Sequence, residues 1–167
     1  ESKYNLKQKK LVKCGYGRLD DLITEYENFN NFENKINNKK QILIAPSWGE
    51  NGIIETIGED LIHELLNFNY KVILRPHPMT SKKSPKKIKK IKEKFHDNSN
   101  FSLEEDIRFF GSFFTSDCII SDWSGVAIEF AFTTRKPVLF IDVPKKMRNS
   151  DYKEISLTPL EIRIREQ

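Results

Sequence analysis

Short apolar blocks alternate along residues 41 to 141 with longer stretches in which apolar side chains recur every three or four positions. The blocks Gln41 to Ala45, Lys71 to Leu74, Asn100 to Leu103, Cys118 to Ile120 and Pro137 to Ile141 read as strands. Between them, Thr56 to Phe68 puts Ile57, Leu61, Leu65 and Phe68 on one helical face. Pro85 to Phe95 starts behind a Ser84 cap with proline at its first position, and Ile88, Ile91 and Phe95 then share a face. Ile107 to Phe114 and Val126 to Phe132 read as two shorter helices. Strands joined by helices need crossover connections, which are right-handed and yield a parallel sheet covered on both faces. The expected fold class is therefore α/β and Rossmann-like. Residues 1 to 40 are more polar and Asn-rich, with one helix from Leu19 to Phe29, and are expected to be a lead-in segment and linker helix before a domain of residues 41 to 167.

The 167 residues, 38% of them hydrophobic, can bury one sizeable core and hardly two. No run approaches the roughly 18 uninterrupted apolar residues of a membrane-spanning helix, and the polar start Glu1-Ser2-Lys3-Tyr4 lacks the apolar core of a signal peptide. A first residue of Glu rather than Met is expected of a piece of a longer protein. Cys14 and Cys118 lie far apart and read as reduced thiols, so a cytoplasmic setting is expected.

A formal net charge of +4 is modest, but it is unevenly spread. Lys82, Lys83, Lys86, Lys87, Lys89, Lys90, Lys92 and Lys94 crowd a stretch whose single acid is Glu93. Two readings of this lysine helix stand side by side, a solvated outer face and a contact surface for an anionic membrane or polyanion. No nucleic-acid partner is expected.

Ligands of open α/β sheets bind beyond the carboxyl ends of the strands, so the segments that follow the strands carry the chemistry. After the first comes Pro46-Ser47-Trp48-Gly49-Glu50-Asn51-Gly52, with a hydroxyl at Ser47 and an aromatic face at Trp48. After the second comes Arg75-Pro76-His77-Pro78, where two prolines stiffen the backbone around His77 and Arg75 could pair with phosphate. His63 and His96, by contrast, read as ordinary surface histidines. After the Cys118 strand, Ser121-Asp122-Trp123-Ser124-Gly125 turns into a helix whose N-terminus would seat a phosphate, with Ser124 adding a hydroxyl and Gly125 permitting close approach. Glu129, on that helix, could accept hydrogen bonds from a ribose. There is no metal-ligand cluster, no Walker-type Gly-Lys-Ser/Thr and no GxGxxG after a strand, so neither a metal nor a cofactor is expected. The ligand expected is a nucleotide diphosphate derivative bound without a P-loop.

Arg75-Pro76-His77-Pro78, Ser121-Asp122-Trp123-Ser124-Gly125 and Lys136-Pro137-Val138-Leu139-Phe140, in that order, resemble the CDP-glycerol glycerophosphotransferase family, the polymerases and primases of teichoic-acid-like polymers. Gly15-Tyr16-Gly17-Arg18-Leu19-Asp20 looks like that family's Gly-Tyr-Pro-Arg-Asn-Asp segment, and Ala45-Pro46-Ser47-Trp48 is similar to its Ala-Pro-Thr-Trp loop. The departures are Gly17, Leu19, Gly125 in place of a second Ser, and Arg135 where a Gly precedes Lys-Pro. Ser124-Gly125 followed by Glu129 is also similar to UDP-N-acetylglucosamine 2-epimerases.

The resemblance implies the C-terminal half of a GT-B fold of two facing Rossmann domains, with the N-terminal domain and its presumed general base missing from this chain. It implies His77 at the donor phosphates as the catalytic residue, and Arg75, Ser47, Trp48, Asp122, Ser124, Gly125 and Glu129 as donor-binding. The implied reaction transfers phosphoglycerol, or a similar phosphopolyol, from CDP-glycerol or a related nucleotide-linked donor to a hydroxyl of a polymer or lipid-linked acceptor. The chain alone would be inactive, and the whole protein would sit peripherally on the inner face of the plasma membrane, held through Lys82 to Lys94. Two alternatives are a nucleotide-sugar glycosyltransferase or epimerase-like domain, and a non-catalytic module binding anionic lipid or polymer.

Overall fold

The structure is a computed structural model that describes residues 5, 7–10, 12–32, 39–106, 108, 110–144, 154, 158 and 160–165. In chain order the elements are α1 (Gly17–Phe32), β1 (Gln41–Ile44), α2 (Gly58–Asn67), β2 (Lys71–Leu74), α3 (Pro78–Lys83), α4 (Pro85–Phe95), β3 (Phe101–Leu103), α5 (Gly111–Thr115), β4 (Cys118–Ser121), α6 (Val126–Thr134), β5 (Val138–Phe140) and α7 (Leu160–Arg165). The five strands pair in parallel in the order β3-β2-β1-β4-β5. The α/β, Rossmann-like expectation is met. Of the helix expected over Ile107 to Phe114, positions 107 and 109 lie outside the described residues, and α5 begins at Gly111.

Successive residues of a strand point to opposite faces, and the two faces carry separate cores. Ile42, Ile44, Val72, Leu74 and Ile120 pack under α2 and α4 through Ile62, Ile88, Ile91 and Phe95. Leu43, Ala45, Ile73 and Ile119 pack under α1, α5 and α6 through Leu22, Phe113, Phe114 and Phe130. The helix expected in the lead-in is thus part of the second layer, with Leu22 fully buried.

Two differences from the periodicity follow from how helices end. In α2 the side chain sealed in the core is Ile62, while Phe68, expected on the inner face, is the C-cap residue and stands 71% exposed. The short helix α3 was not expected at all. His77 caps it, Pro78 fills its first turn where a missing N–H is harmless, and it ends at Ser84, the residue that leads into α4.

The face of α4 made by Ile88, Ile91 and Phe95 is buried in the core, not left open. Along the flank of that face, Lys87, Lys90 and Lys94 converge on Glu59 of α2, at 3.5, 3.0 and 3.3 Å. These contacts, led by the Lys90 hydrogen bond, hold the Glu59 carboxyl down to about 2 against the opposing effect of its burial. Part of the lysine surface is therefore structural.

Candidate functional site

The strand order reverses between β1 and β4, because the chain moves outward from β1 through β2 to β3 and then returns to β4 on the other side. A crevice at such a switch point lies beyond the strand carboxyl ends, between the loops that follow the two strands. Here those loops are the Ser47–Gly52 and Asp122–Gly125 segments, and a cavity of about 80 Å3 lies between them, walled by Ser47, Trp48, Gly52, Trp123 and Val143.

Asp122 builds this junction. Its carboxylate is 1% exposed and accepts from the backbone N–H of Ser47 at 2.6 Å and of Ile53 at 3.3 Å, pinning the loop after β1 to the end of β4. Both carboxylate oxygens are thus engaged by the protein's own backbone. The pinned loop is tight: Gly49 has φ 136, a conformation open to glycine, and a Cβ on Gly52 would meet Gly49 O at 3.2 Å.

Trp48 leaves that loop toward the end of β2. Its ring lies 6.3 Å from the His77 ring, and Lys83 Nζ stands 4.6 Å over its face. His77 itself is fixed from below, because Nδ1 accepts the Met79 N–H at 3.1 Å. An imidazole nitrogen that accepts is unprotonated, so the proton of the neutral ring resides on Nε2, which is a donor.

Arg75 follows β2 directly and turns into the protein. Its guanidinium is buried, pairs with Glu104, donates to Ser112 Oγ at 2.8 Å and lies 5.7 Å from the Phe110 ring centroid. A buried Arg–carboxylate pair of this kind holds elements together, here the ends of β2 and β3 and the start of α5.

At β4 the chain turns into α6 with Gly125 as the N-cap residue, and no side chain caps the helix. The Ala127 N–H turns back to Ser124 O at 3.2 Å, so Ser124 joins the first turn through its carbonyl and its hydroxyl makes no cap. A Cβ built on Gly125 meets nothing within 4 Å, leaving the approach to the helix N-terminus open. Glu129, one turn along, accepts the Tyr16 hydroxyl at 2.7 Å, which raises the Tyr16 pKa. Trp123 flanks the turn, its Nε1 donating to Val143 O at 2.9 Å and its ring covered by the Arg165 guanidinium at 4.0 Å.

The structure thus places Ser47, Trp48, His77, Ser124 and Gly125 in the segments that follow β1, β2 and β4, with Glu129 one turn into α6, and pairs Arg75 and Asp122 with groups of the protein itself. Sequence reasoning missed Glu55 and Thr80, which lie behind Trp48. Neither has a local signal, since both reach the site through loop and helix packing. Among the described residues, no cluster of three or more His, Cys, Asp or Glu side chains is arranged to hold a metal ion.

A protein-family model for CDP-glycerol:poly(glycerophosphate) glycerophosphotransferases matches residues 1–150. The chain belongs to that family. Solved structures of the wall teichoic acid polymerase TagF are also similar. One, a variant soaked with CDPG, has 26% identity and a TM-score of 0.46, and covers 75% of this chain and 30% of its own. Another variant has 21% identity and a TM-score of 0.47, over 77% of this chain and 33% of its own. This glycerophosphotransferase-family chain therefore spans about a third of those proteins. No curated protein matches it.

Proposed function

We propose that this chain is the donor-binding half of a transferase that moves a phosphoglycerol, or similar phosphopolyol, group from a CDP-linked donor to a hydroxyl of a cell-surface polymer. The observation that carries the proposal is the fixed His77 ring beside Trp48, on the same strand ends as the open N-terminus of α6. Family membership supplies the chemistry of the donor.

In this reading the donor pyrophosphate lies between His77 and the start of α6. The neutral His77 ring donates from Nε2 to a phosphate oxygen, and the first N–H groups of α6 meet another with the positive end of the helix dipole behind them. Charge moves onto the leaving CMP as the phosphoryl group departs, so donors already in place lower the barrier without having to reorganise. Deprotonation of the acceptor hydroxyl falls to a base from the facing domain, since His77 Nε2 carries its proton. Glu129 and Tyr16 form a hydrogen-bonded pair placed to receive the ribose. In the same proposal, α4 holds the protein at an anionic membrane surface.

Calorimetry with CDP and CMP, together with turnover of CDP-glycerol against UDP-sugars by the protein that carries this chain, tests the assignment. Saturable CDP binding and consumption of CDP-glycerol are expected. Consumption of a UDP-sugar alone would replace the phosphotransferase reading with the nucleotide-sugar one.

A further inference from the structure

The two walls of the cavity at the strand-order switch are held in different ways. The loop after β1 is pinned by the Asp122 carboxylate. The facing wall, Trp123 and Val143, is tied to itself by the Trp123 Nε1 donation to Val143 O at 2.9 Å, and beyond that by one side chain of α7. Arg165 lays its guanidinium 4.0 Å from the Trp123 ring centroid and 5.1 Å from that of Phe140, donates to Ile141 O at 3.3 Å and pairs with Asp142. It thereby joins the turn that follows β4 to the segment that follows β5.

A short surface helix ordinarily docks its apolar side chains and leaves arginine in water. In α7 that order is reversed, since Leu160 and Ile164 are exposed while the Arg165 side chain is only 8% exposed. The ion pair does not account for this burial, because the Asp142 side chain is 97% exposed and pairs of that kind contribute little. Satisfaction of donors does not account for it either, as Nη1 is buried with no hydrogen-bond partner among the described residues, which is a cost. What remains is the face of Trp123, where a desolvated guanidinium gains most.

We propose that Arg165 is a positioning residue for the donor site, fixing the Trp123 ring against residues 141–143 so that the switch-point cavity keeps its shape. Its effect on the donor rests on the proposed function, while its hold on Trp123 rests on the contacts alone. Trp123 directly precedes Ser124 and Gly125, so a displaced indole shifts the turn that opens α6. A wall already in place leaves less to be ordered when a ligand arrives.

Proton–nitrogen correlation NMR of the full chain tests this, because its two tryptophans, Trp48 and Trp123, give separate indole signals that Trp123→Phe assigns. Arg165→Ala should move the Trp123 signal, leave that of Trp48 in place and weaken CDP binding about tenfold, the scale of one buried cation–π contact. Arg165→Gln keeps a stem and a donor for Ile141 O, which guards against a variant that fails to fold, and should act in the same direction. Asp142→Asn should change neither readout. In the protein that carries this chain, Arg165→Ala should raise KM for CDP-glycerol about tenfold with kcat within about twofold, a split that mere destabilisation does not produce. A Trp123 signal that stays in place in both Arg165 variants overturns the proposal. So does a moved signal with unchanged CDP affinity, or a loss in Asp142→Asn as large as that in Arg165→Ala. Where the wild-type chain binds no CDP, the proposed function falls, and the indole signals alone decide whether Arg165 holds Trp123.

Discussion

His77 caps α3 through Nδ1 and, in the proposed function, meets the donor through Nε2, so a single substitution would confound the two. Asparagine is a good N-cap residue and can accept the Met79 N–H, whereas alanine cannot. His77→Asn should therefore keep the thermal midpoint within a degree or two, and His77→Ala should lose about 1 kcal/mol of stability with the cap. Both should weaken CDP-glycerol binding at least tenfold. If His77→Asn binds normally, the histidine is a cap only. Gly125 gives a complementary test at the other end of the site. Its φ of −60 suits any residue and a Cβ there meets nothing, so Gly125→Val should fold normally. Donor binding should nonetheless be abolished, with Ser124→Ala only partly impaired, as calorimetry with CDP-glycerol would show. Normal affinity in Gly125→Val would remove the phosphates from this helix. At this scale the positions of the candidate residues were legible in sequence, and their partners were not. His77, Trp48 and Ser124 directly follow strands, and strand ends are visible as apolar blocks. Arg75 follows a strand equally closely, but its partners Glu104 and Ser112 lie 29 and 37 positions away, and no local spacing announces them. Asp122 is turned inward by backbone N–H groups 75 and 69 positions away.

At the scale of elements, α4 was visible in its full extent because three signals coincide: a proline start, an apolar stripe at i, i+3 and i+7, and a polar remainder. Helix α3 carries no apolar period in Pro78-Met79-Thr80-Ser81-Lys82-Lys83, and its one cue, proline after a capping side chain, reads equally well as a stiff turn. The contact between α2 and α4 through Glu59 was equally hidden, and it sets a pH response. Its carboxyl is held at about 2, below the ordinary 4.5, so the folded state favours the charged form. Its contribution is present above pH 4.5 and is lost as pH falls from there to about 2. Glu59→Gln should lower the midpoint at pH 7 by about 1 kcal/mol, or about 2–4 °C, a value kept small because the lysines are partly solvated. The difference from wild type should shrink toward zero near pH 2, and a constant difference across that range would show that packing, not charge, is responsible. A second element-scale test concerns the end of α6. Arg135 stands at φ 57, ψ 26, a left-handed cap where the family resemblance leads one to expect glycine. Arg135→Gly should relieve backbone strain and raise stability by about 0.5–1 kcal/mol by thermal melting, after the greater unfolded-state entropy of glycine is deducted. An unchanged or lower midpoint would mean that the arginine side chain compensates.

At the scale of the whole molecule, the proposed membrane contact has to be made by the basic surface of α4. No helix among the described residues is long and apolar enough to cross one, and the apolar face of α4 is in the core. Any attachment through α4 is therefore electrostatic, without insertion of its apolar face. Of the eight lysines, Lys87, Lys90 and Lys94 are tied to Glu59, Lys89 lies 3.6 Å from Glu93 and Lys83 covers Trp48. Lys82, Lys86 and Lys92 remain for a surface. At about 1 kcal/mol each near an anionic leaflet they amount to about 3 kcal/mol, roughly a hundredfold in partitioning, and the effect decays within a Debye length. Sedimentation with phosphatidylserine-containing vesicles should show binding at low salt that disappears at high salt, on neutral vesicles, and in the triple variant Lys82→Glu, Lys86→Glu, Lys92→Glu. Salt-resistant binding to neutral vesicles would require an apolar contact from elsewhere in the protein, such as the exposed Phe68 or Phe132. Absence of binding at low salt would leave α4 as a solvated helix whose lysines serve Glu59 and Trp48, and membrane recruitment would then have to come through the acceptor itself.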